Sequence, residues 1–391
     1  MESNRREFLK LASLFTLAGS LPLLQSCSEQ FASNPNAPLR IGYLPITDAT
    51  PLLVAIDQKL FEKRDIQIEK PVLFRSWAQL VEAFISGQVN VIHLLSPMAI
   101  WMRYGSTAPA KVIMWNHMAG SALTVDHSIN EVSDLGGKII AIPFWYSIHN
   151  VVLQHILREH HLTITEKTPT HNGEVQLVVM APSDMVAALA AKTITGFIVA
   201  EPFNALAEDK GIGKILRFSA DVWKDHACCL TLVHDHDIKN RPEWVGRITD
   251  ALVEAQIWSN QNRVETAHLL SKQGTHKFMP HDEHVLREVL APSERNWQNY
   301  IESGVIKNAE WQQNRIDFQP YPYPSYTKVL VEMLQQTHIA GVNTFLKELE
   351  PSFVAKDLVD SRFVEEALIH QNAFAYFGLS NSLSREEIII V

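Results

Sequence analysis

The sequence predicts an α/β protein of two lobes with a helical C-terminal part, arranged as a hinged clamshell. Three observations lead there. Strand-like and helix-like stretches alternate from residue 39 to about residue 200, the pattern that builds largely parallel sheets. The alternation also repeats. LVEAFISGQVNVIHLLSPMAI at 80–100 and MVAALAAKTITGFIVAEPFNA at 185–205 are equally long, and each reads helix, buried strand, polar residue, Pro. From Glu243 onward the composition turns helical. A chain of 391 residues has room for two folded units at roughly 150 residues each. With 46% hydrophobic and 20% charged residues it is not a disordered chain. The excess of 43 Asp+Glu over 34 Lys+Arg, with no basic run, argues against nucleic acid as a partner.

The elements follow in order. Residues 39–44 form a short strand, and Asp48-Ala-Thr-Pro51 has the cap-then-proline signature of a helix start, the helix running over 52–61. A strand at 66–74, a helix at 78–85 and a strand at 89–95 come next. Ser96-Pro97 opens another helix before a strand at 111–115. The pattern restarts with a strand at 138–143 and a helix capped by Ser147 that runs to about Glu159. A strand at 175–180, a helix capped by Ser183 and a strand at 195–200 then lead to Glu201-Pro202. The apolar strand at 228–234 returns the chain to the first lobe, followed by helices at 244–260, 265–272, 282–290 and 328–335. Lobe I is therefore expected over 39–125 plus 232–391, and lobe II over 126–231.

The N-terminus reads as an address. Asn-Arg-Arg-Glu-Phe-Leu-Lys at 4–10 precedes an apolar stretch of about 14 residues, short of the ~20 that cross a bilayer. Arg5-Arg6 with Phe8-Leu9-Lys10 resembles a twin-arginine signal, and Leu24-Gln25-Ser26-Cys27 resembles a lipobox in which Cys27 is lipidated. Residues 1–26 are then a lipoprotein signal peptide and 27–38 a polar tether. The mature body would sit on the periplasmic face of the membrane, held by its lipid. Nucleotide cofactors are not supplied there, and the sequence has neither GxGxxG nor GxxxxGK[ST]. Three cysteines, Cys27, Cys228 and Cys229, are too few for a disulfide scaffold or a four-cysteine zinc site. The pairs His160-His161, His234/His236 and His281/His284 read as solvated surface. Cys228 and Cys229 read as buried thiols, one on each face of a strand.

Ligands of parallel α/β sheets sit beyond the carboxyl ends of the strands. Helices here start directly after strands near Asp48-Ala-Thr-Pro51, Ser96-Pro97, Ser147-Ile-His149, Ser183 and Glu201-Pro202. Each start offers unpaired N–H groups and about half a positive charge. Two lobes aiming such ends into one crevice suit a small polar or anionic solute.

Five stretches carry a resemblance: Gly42-Tyr-Leu-Pro-Ile-Thr-Asp-Ala49, Leu95-Ser-Pro-Met98, Glu201-Pro-Phe-Asn204, Val222-Trp-Lys-Asp-His226 and Ile316-Asp-Phe-Gln-Pro-Tyr-Pro-Tyr-Pro324. They resemble the periplasmic solute-binding lipoproteins of nitrate/bicarbonate ABC importers, within the type 2 periplasmic-binding-protein superfamily. The resemblance implies a monomeric, non-enzymatic carrier that captures a small anion between its lobes and delivers it to a permease and its ATPase. It implies a ligand site drawn from Tyr43, Thr47, Asp48, Ser96, Ser121, Trp145, His149 and Glu201. His149 stands where these proteins carry a ligand-contacting His. Glu201 stands where an acidic residue accompanies bicarbonate, so a proton or a Ca²⁺ ion beside Glu201 is expected. The chain also departs from the family. Ser121 replaces an amide, and bulky Phe144-Trp145-Tyr146 precedes Ser147. Trp77, Trp115, Trp145 and Tyr43 could then line a pocket for a sulfonate, or for a heterocyclic or guanidinium-like solute pairing with Glu201. An alternative of another class is the pyrimidine synthases of thiamine biosynthesis, enzymes of the same fold. They are cytosolic, and two adjacent cysteines do not reproduce their cysteine-rich motif.

Overall fold

The computed structural model describes residues 37–311, 314–379 and 383–391. The signal peptide, Cys27 and nearly all of the tether lie outside the described residues. In chain order the strands are β1 (Ile41–Tyr43), β2 (Val72–Leu73), β3 (Val91–Leu95), β4 (Ala110–Trp115), β5 (Met118–Ala119), β6 (Ser121–Val125), β7 (Ile139–Ile142), β8 (Thr163–Thr165), β9 (Glu174–Val179), β10 (Gly196–Ala200), β11 (Lys214–Phe218), β12 (Cys229–His234) and β13 (Ile316–Asp317). One sheet has the order β2-β1-β3-β12-β4 and the other β11-β6-β10-β7-β9-β8. In the first, β1 pairs in parallel with β2 and β3, while β12 runs antiparallel between β3 and β4. In the second, β7 to β10 pair in parallel and β6 runs antiparallel between β10 and β11. The antiparallel strand of each sheet is thus the one that adjoins a lobe crossing. Strands β3, β6, β10 and β12 are buried along their whole length, because helices cover both faces and turn alternation into apolar runs.

The helices are α1 (Thr50–Asp57), α2 (Trp77–Ile85), α3 (Ser96–Ile100), α4 (Ile148–Glu159), α5 (Pro182–Ala190), α6 (Phe203–Asp209), α7 (Asp235–Asn240), α8 (Pro242–Gln261), α9 (Arg263–Leu270), α10 (Glu283–Leu290), α11 (Glu294–Glu302), α12 (Pro324–Gln335), α13 (Pro351–Asp357) and α14 (Arg362–His370). Pro stands in the first turn of α1, α3, α5, α8 and α12, where its missing N–H costs nothing. Ser147 caps α4 by accepting from the Asn150 N–H at 3.1 Å. Ser183 does not cap α5. It lies inside that helix, which Pro182 opens after an Ala181 N-cap.

Two boundaries differ from expectation. Residues 121–125, expected in lobe I, form β6 in the lobe II sheet, so the chain enters lobe II through 116–120. It returns through 219–228, and β12 belongs to lobe I from Cys229 onward. The run SALTV gives no turn signal that marks it as a new sheet; its pairing with β10 and β11 decides its place. Gly120 makes the sharp redirection between β5 and β6 at φ +77°, a backbone conformation that glycine adopts without steric cost.

Nor does the C-terminal part stay with lobe I. Trp297 and Tyr300 of α11 meet Phe218 of β11, with centroids 5.9 and 5.1 Å apart. Ile306 joins Ala122, Ile215 and Phe218 in a separate apolar cluster. The Trp297, Tyr300 and Ile301 face of α11 has i, i+3, i+4 spacing and packs on Ala122, Ile215 and Phe218 of the lobe II sheet. A second strap follows at 338–342. His338 O accepts from Gln154 Nε2 at 2.8 Å, and Tyr146 donates its hydroxyl to Val342 O at 3.0 Å. Both straps join lobe II to chain that otherwise packs on lobe I. Phe218→Ala removes the ring on which α11 docks and is expected to cost about 3–5 kcal/mol, read from a urea denaturation midpoint; a loss under ~1 kcal/mol would contradict this packing.

Candidate functional site

The carboxyl ends of the two sheets meet in a layer of buried polar side chains. Thr47 and Asp48 form a single tight turn after β1. Thr47 donates its N–H and its hydroxyl to Glu201 O, at 3.0 and 3.2 Å, at the end of β10. The Glu201 N–H donates to Gly120 O at 2.8 Å. Three segments of two lobes are thereby tied at one point, and Thr47, Asp48, Ser121, His149 and Glu201 all fall within this buried layer.

Lobe II brings the start of α4 to this point. His149 Nε2 lies 2.9 Å from Ser121 Oγ and 3.9 Å from Cys228 Sγ, while its Nδ1 is buried without a partner. Ser219 donates its hydroxyl to Ser121 O at 3.0 Å, so the neighbouring His226 Nε2, 2.8 Å away, must be the donor to Ser219 Oγ. That assigns His226 a neutral ring with a bare Nδ1, and burial holds its pKa down at about 3.

Lobe I brings an ion pair. His117 Nε2 stands 3.0 Å from Asp48 Oδ2, both side chains fully buried. The angle is not that of a hydrogen bond, so both Asp48 oxygens lack one. Burial works against charge on each. Their mutual attraction outweighs it, lowering the Asp48 carboxyl and raising the His117 imidazolium. His93, also buried, is pushed down to about 4 by burial and stays neutral. The crossing itself is held rigidly. Gln256 of α8 donates to Trp115 O and Asn116 O at 2.7 and 3.1 Å, and Asn116 donates to Asp48 O at 3.1 Å.

Glu201 is spoken for. Its Oε1 pairs with Arg315 Nη1 at 3.0 Å, and its Oε2 accepts the Ala205 N–H at 3.1 Å. Burial raises the Glu201 carboxyl, with Arg315 opposing. Arg315 arrives because β13 pairs with β5, just before the lobe crossing, and it also bonds Glu208 at 2.7 Å. Both Glu201 oxygens thus have a protein partner, one of them the Arg315 guanidinium.

The remaining expected residues are placed nearby or turned away. Ser96 Oγ contacts Tyr326 OH at 2.7 Å, and the Ser96 N–H donates to Cys228 O at 2.8 Å. Tyr43 donates its hydroxyl to Phe278 O at 2.8 Å, toward the C-terminal helices. Trp145 stands edge-on to His338, with centroids 5.6 Å apart. Trp115 packs edge-on against Tyr323 and Tyr326.

Sequence reasoning passed over His117, Cys228, Cys229, His226 and Arg315. Cys228 precedes β12 in a bend, so strand alternation does not separate it from Cys229. Asp48, His117, Cys228 and Cys229 each present a donor atom within 4.8 Å of the others. Two histidines expected in solvent are in fact buried: His234 stacks on Phe84 at 3.9 Å, and His281 bonds Pro45 O at 3.1 Å. Among the described residues no helix is long and apolar enough to cross a membrane.

With this geometry in hand, known proteins can be compared. A family model, described as NMT1-like family, matches residues 32–271. The chain belongs to the NMT1-like family. It is 24% identical over 255 residues to the nitrate/nitrite binding protein NrtA of Nostoc sp., covering 59% of this chain and 56% of that one. It is 26% identical over 235 residues to the bicarbonate transport ATP-binding protein CmpC of Synechococcus elongatus, covering 56% and 34%. The chain thus spans between a third and just over half of the length of these relatives. The solved periplasmic nitrate-binding protein NrtA of Synechocystis superposes with a TM-score of 0.70 over 90% of this chain and 93% of its own, at 17% identity. That likeness shows the fold, the two-lobed architecture of periplasmic binding proteins.

Arg315→Leu leaves Glu201 buried and unanswered. It is expected to lower stability by about 3–5 kcal/mol in equilibrium denaturation, and a neutral result would show that Arg315 does not compensate Glu201.

Proposed function

We propose that the protein is the solute-binding component of an ABC-type importer. It captures one small oxyanion of the nitrate/bicarbonate class between its lobes and passes it to a membrane permease driven by an ATPase. The observation that carries this reading is His149: fully buried at the N-terminus of α4, bonded to Ser121 on one side, with Nδ1 unpartnered. A buried polar group left unsatisfied costs about 1–3 kcal/mol, so a solute that meets Nδ1 and the helix-end charge favours the closed arrangement. The Thr47–Glu201 bonds hold the two lobes together beside this group. No catalytic step is assigned. The similarity to the nitrate/nitrite binding protein NrtA and the bicarbonate transport ATP-binding protein CmpC supports the solute class and the importer partners. Arg315 already holds Glu201, which disfavours a guanidinium-like solute pairing there. The twin-arginine-like leader and Cys27 support export and lipid anchoring at the periplasmic face.

Two measurements check this. In a thermal-shift series of nitrate, nitrite, bicarbonate and alkanesulfonates, one oxyanion at a hundredfold excess over its Kd should stabilise the protein by about 2.7 kcal/mol. His149→Ala should remove most of that shift; no shift with any oxyanion, or one untouched by His149→Ala, would contradict the reading. Replacing Arg5-Arg6 by Lys-Lys should leave precursor in the cytoplasm on fractionation, and normal export would refute the twin-arginine route.

A further inference from the structure

We propose that Asp48, His117, Cys228 and Cys229 form a binding site for one thiophilic divalent cation of the Zn²⁺ class. The four donors come from three separate stretches: the turn after β1, the outbound lobe crossing and the returning one. Each offers an atom within 4.8 Å of the others, and every one of the four side chains is buried. Cys228 and Cys229 are free thiols. Two sulfurs, one imidazole nitrogen and one carboxylate oxygen make a complete tetrahedral shell of the kind zinc takes. Soft sulfur donors select against Ca²⁺ and Mg²⁺.

A second observation points to a cation independently of the donor count. Both Asp48 oxygens are buried without a hydrogen bond of good geometry, and the groups closest to them, His117 at 3.0 Å and the Cys229 thiol, are themselves members of the cluster. His117 faces only one of them, and off-angle. The shell is also braced from outside. The Asn116 amide holds the Asp48 backbone at 3.1 Å, Gln256 holds Asn116, and the Ser96 N–H fixes the Cys228 carbonyl at 2.8 Å. Outer contacts of this kind orient the ligands of metal sites. A shell with metal–sulfur bonds near ~2.3 Å and metal–nitrogen near ~2.0 Å asks the donors to draw together by about an ångström. Binding forms two metal–sulfur bonds, one metal–nitrogen bond and one metal–oxygen bond. The two thiol protons pass to solvent, and His117 ligates through Nε2 in place of the Cys229 N–H that this nitrogen accepts at 3.3 Å. None of the four ligands is His149 or Ser121, although Cys228 Sγ lies 3.9 Å from His149 Nε2.

The test uses the full chain, reduced and stripped with a chelator. One equivalent of Co²⁺ should produce a near-ultraviolet thiolate-to-cobalt charge-transfer band and the visible bands of tetrahedral cobalt. Zn²⁺ should abolish both, and excess Ca²⁺ should not. Cys27→Ser should keep the spectrum. Cys228→Ser and Cys229→Ser should each weaken binding at least tenfold and diminish the charge-transfer band, with metal-free melting curves reporting whether the variants fold. For the unaltered protein, zinc-edge X-ray absorption at one equivalent should find two sulfur neighbours. A shell of nitrogen and oxygen alone, or binding that survives the Cys228→Ser, Cys229→Ser double substitution at full affinity, would overturn the site and assign binding to surface histidines. Failure of the oxyanion series leaves these readouts unaffected, so the two readings fall separately.

Discussion

Burying polar side chains between two apolar sheets is tolerable only where each finds a partner, and that constraint organises this molecule. The layer between the sheets holds Thr47, Asp48, Asn116, His117, Ser121, His149, Glu201, His226 and Thr231, all buried. Three of them are tied to another segment: Thr47 to the Glu201 carbonyl across the lobes, Glu201 to Arg315 of the C-terminal part, and the Ser121 carbonyl to Ser219 of the return crossing. An unpaired buried charge costs several kcal/mol, so Arg315 and the strand that carries it belong to the site as firmly as any lobe residue. The C-terminal segments thus do more than complete lobe I. They pack α11 against Phe218 of the lobe II sheet and pair Arg315 with Glu201.

Among the described residues, several buried side chains keep an unsatisfied polar atom, His93, His226, Gln256 and Arg315 among them, and two of the set, His149 and Asp48, sit in surroundings of different chemistry. His149 Nδ1 lies on the lobe II side, at a helix N-terminus where partial positive charge favours an anion. The Asp48 oxygens lie on the lobe I side among a second imidazole and two thiols, where negative charge and sulfur favour a soft cation. Cys228, 3.9 Å from His149, is the bridge between them. A protein that closes over a solute and one that holds a metal at its hinge can therefore be the same protein, each group acting from its own side.

Local signals made much of this legible. Ser147-Ile-His149 announced a capped helix with a histidine in its first turn, and the cap is there with the ring facing Ser121. The repeat at 80–100 and 185–205 foretold equivalent strands β3 and β10, each followed by a helix. What stayed hidden was set by long-range pairing. Nothing near Glu201 in the sequence shows that its partner is Arg315, 114 residues away. Cys228 and Cys229 look separated until a bend before β12 turns both thiols to one side. SALTV at 121–125 is an apolar strand for either lobe, and only its neighbours decide which. The amphipathic face of α11 gave no hint that it would cross to lobe II.

The central claim is that the lobes close over a solute at the Ser121–His149 pair. Solution X-ray scattering of the protein with and without its oxyanion tests it most directly. A smaller radius of gyration is expected on binding, with the bound profile matching the arrangement in which Thr47 and Glu201 are bonded across the lobes. An unchanged or larger radius at saturating solute would contradict it.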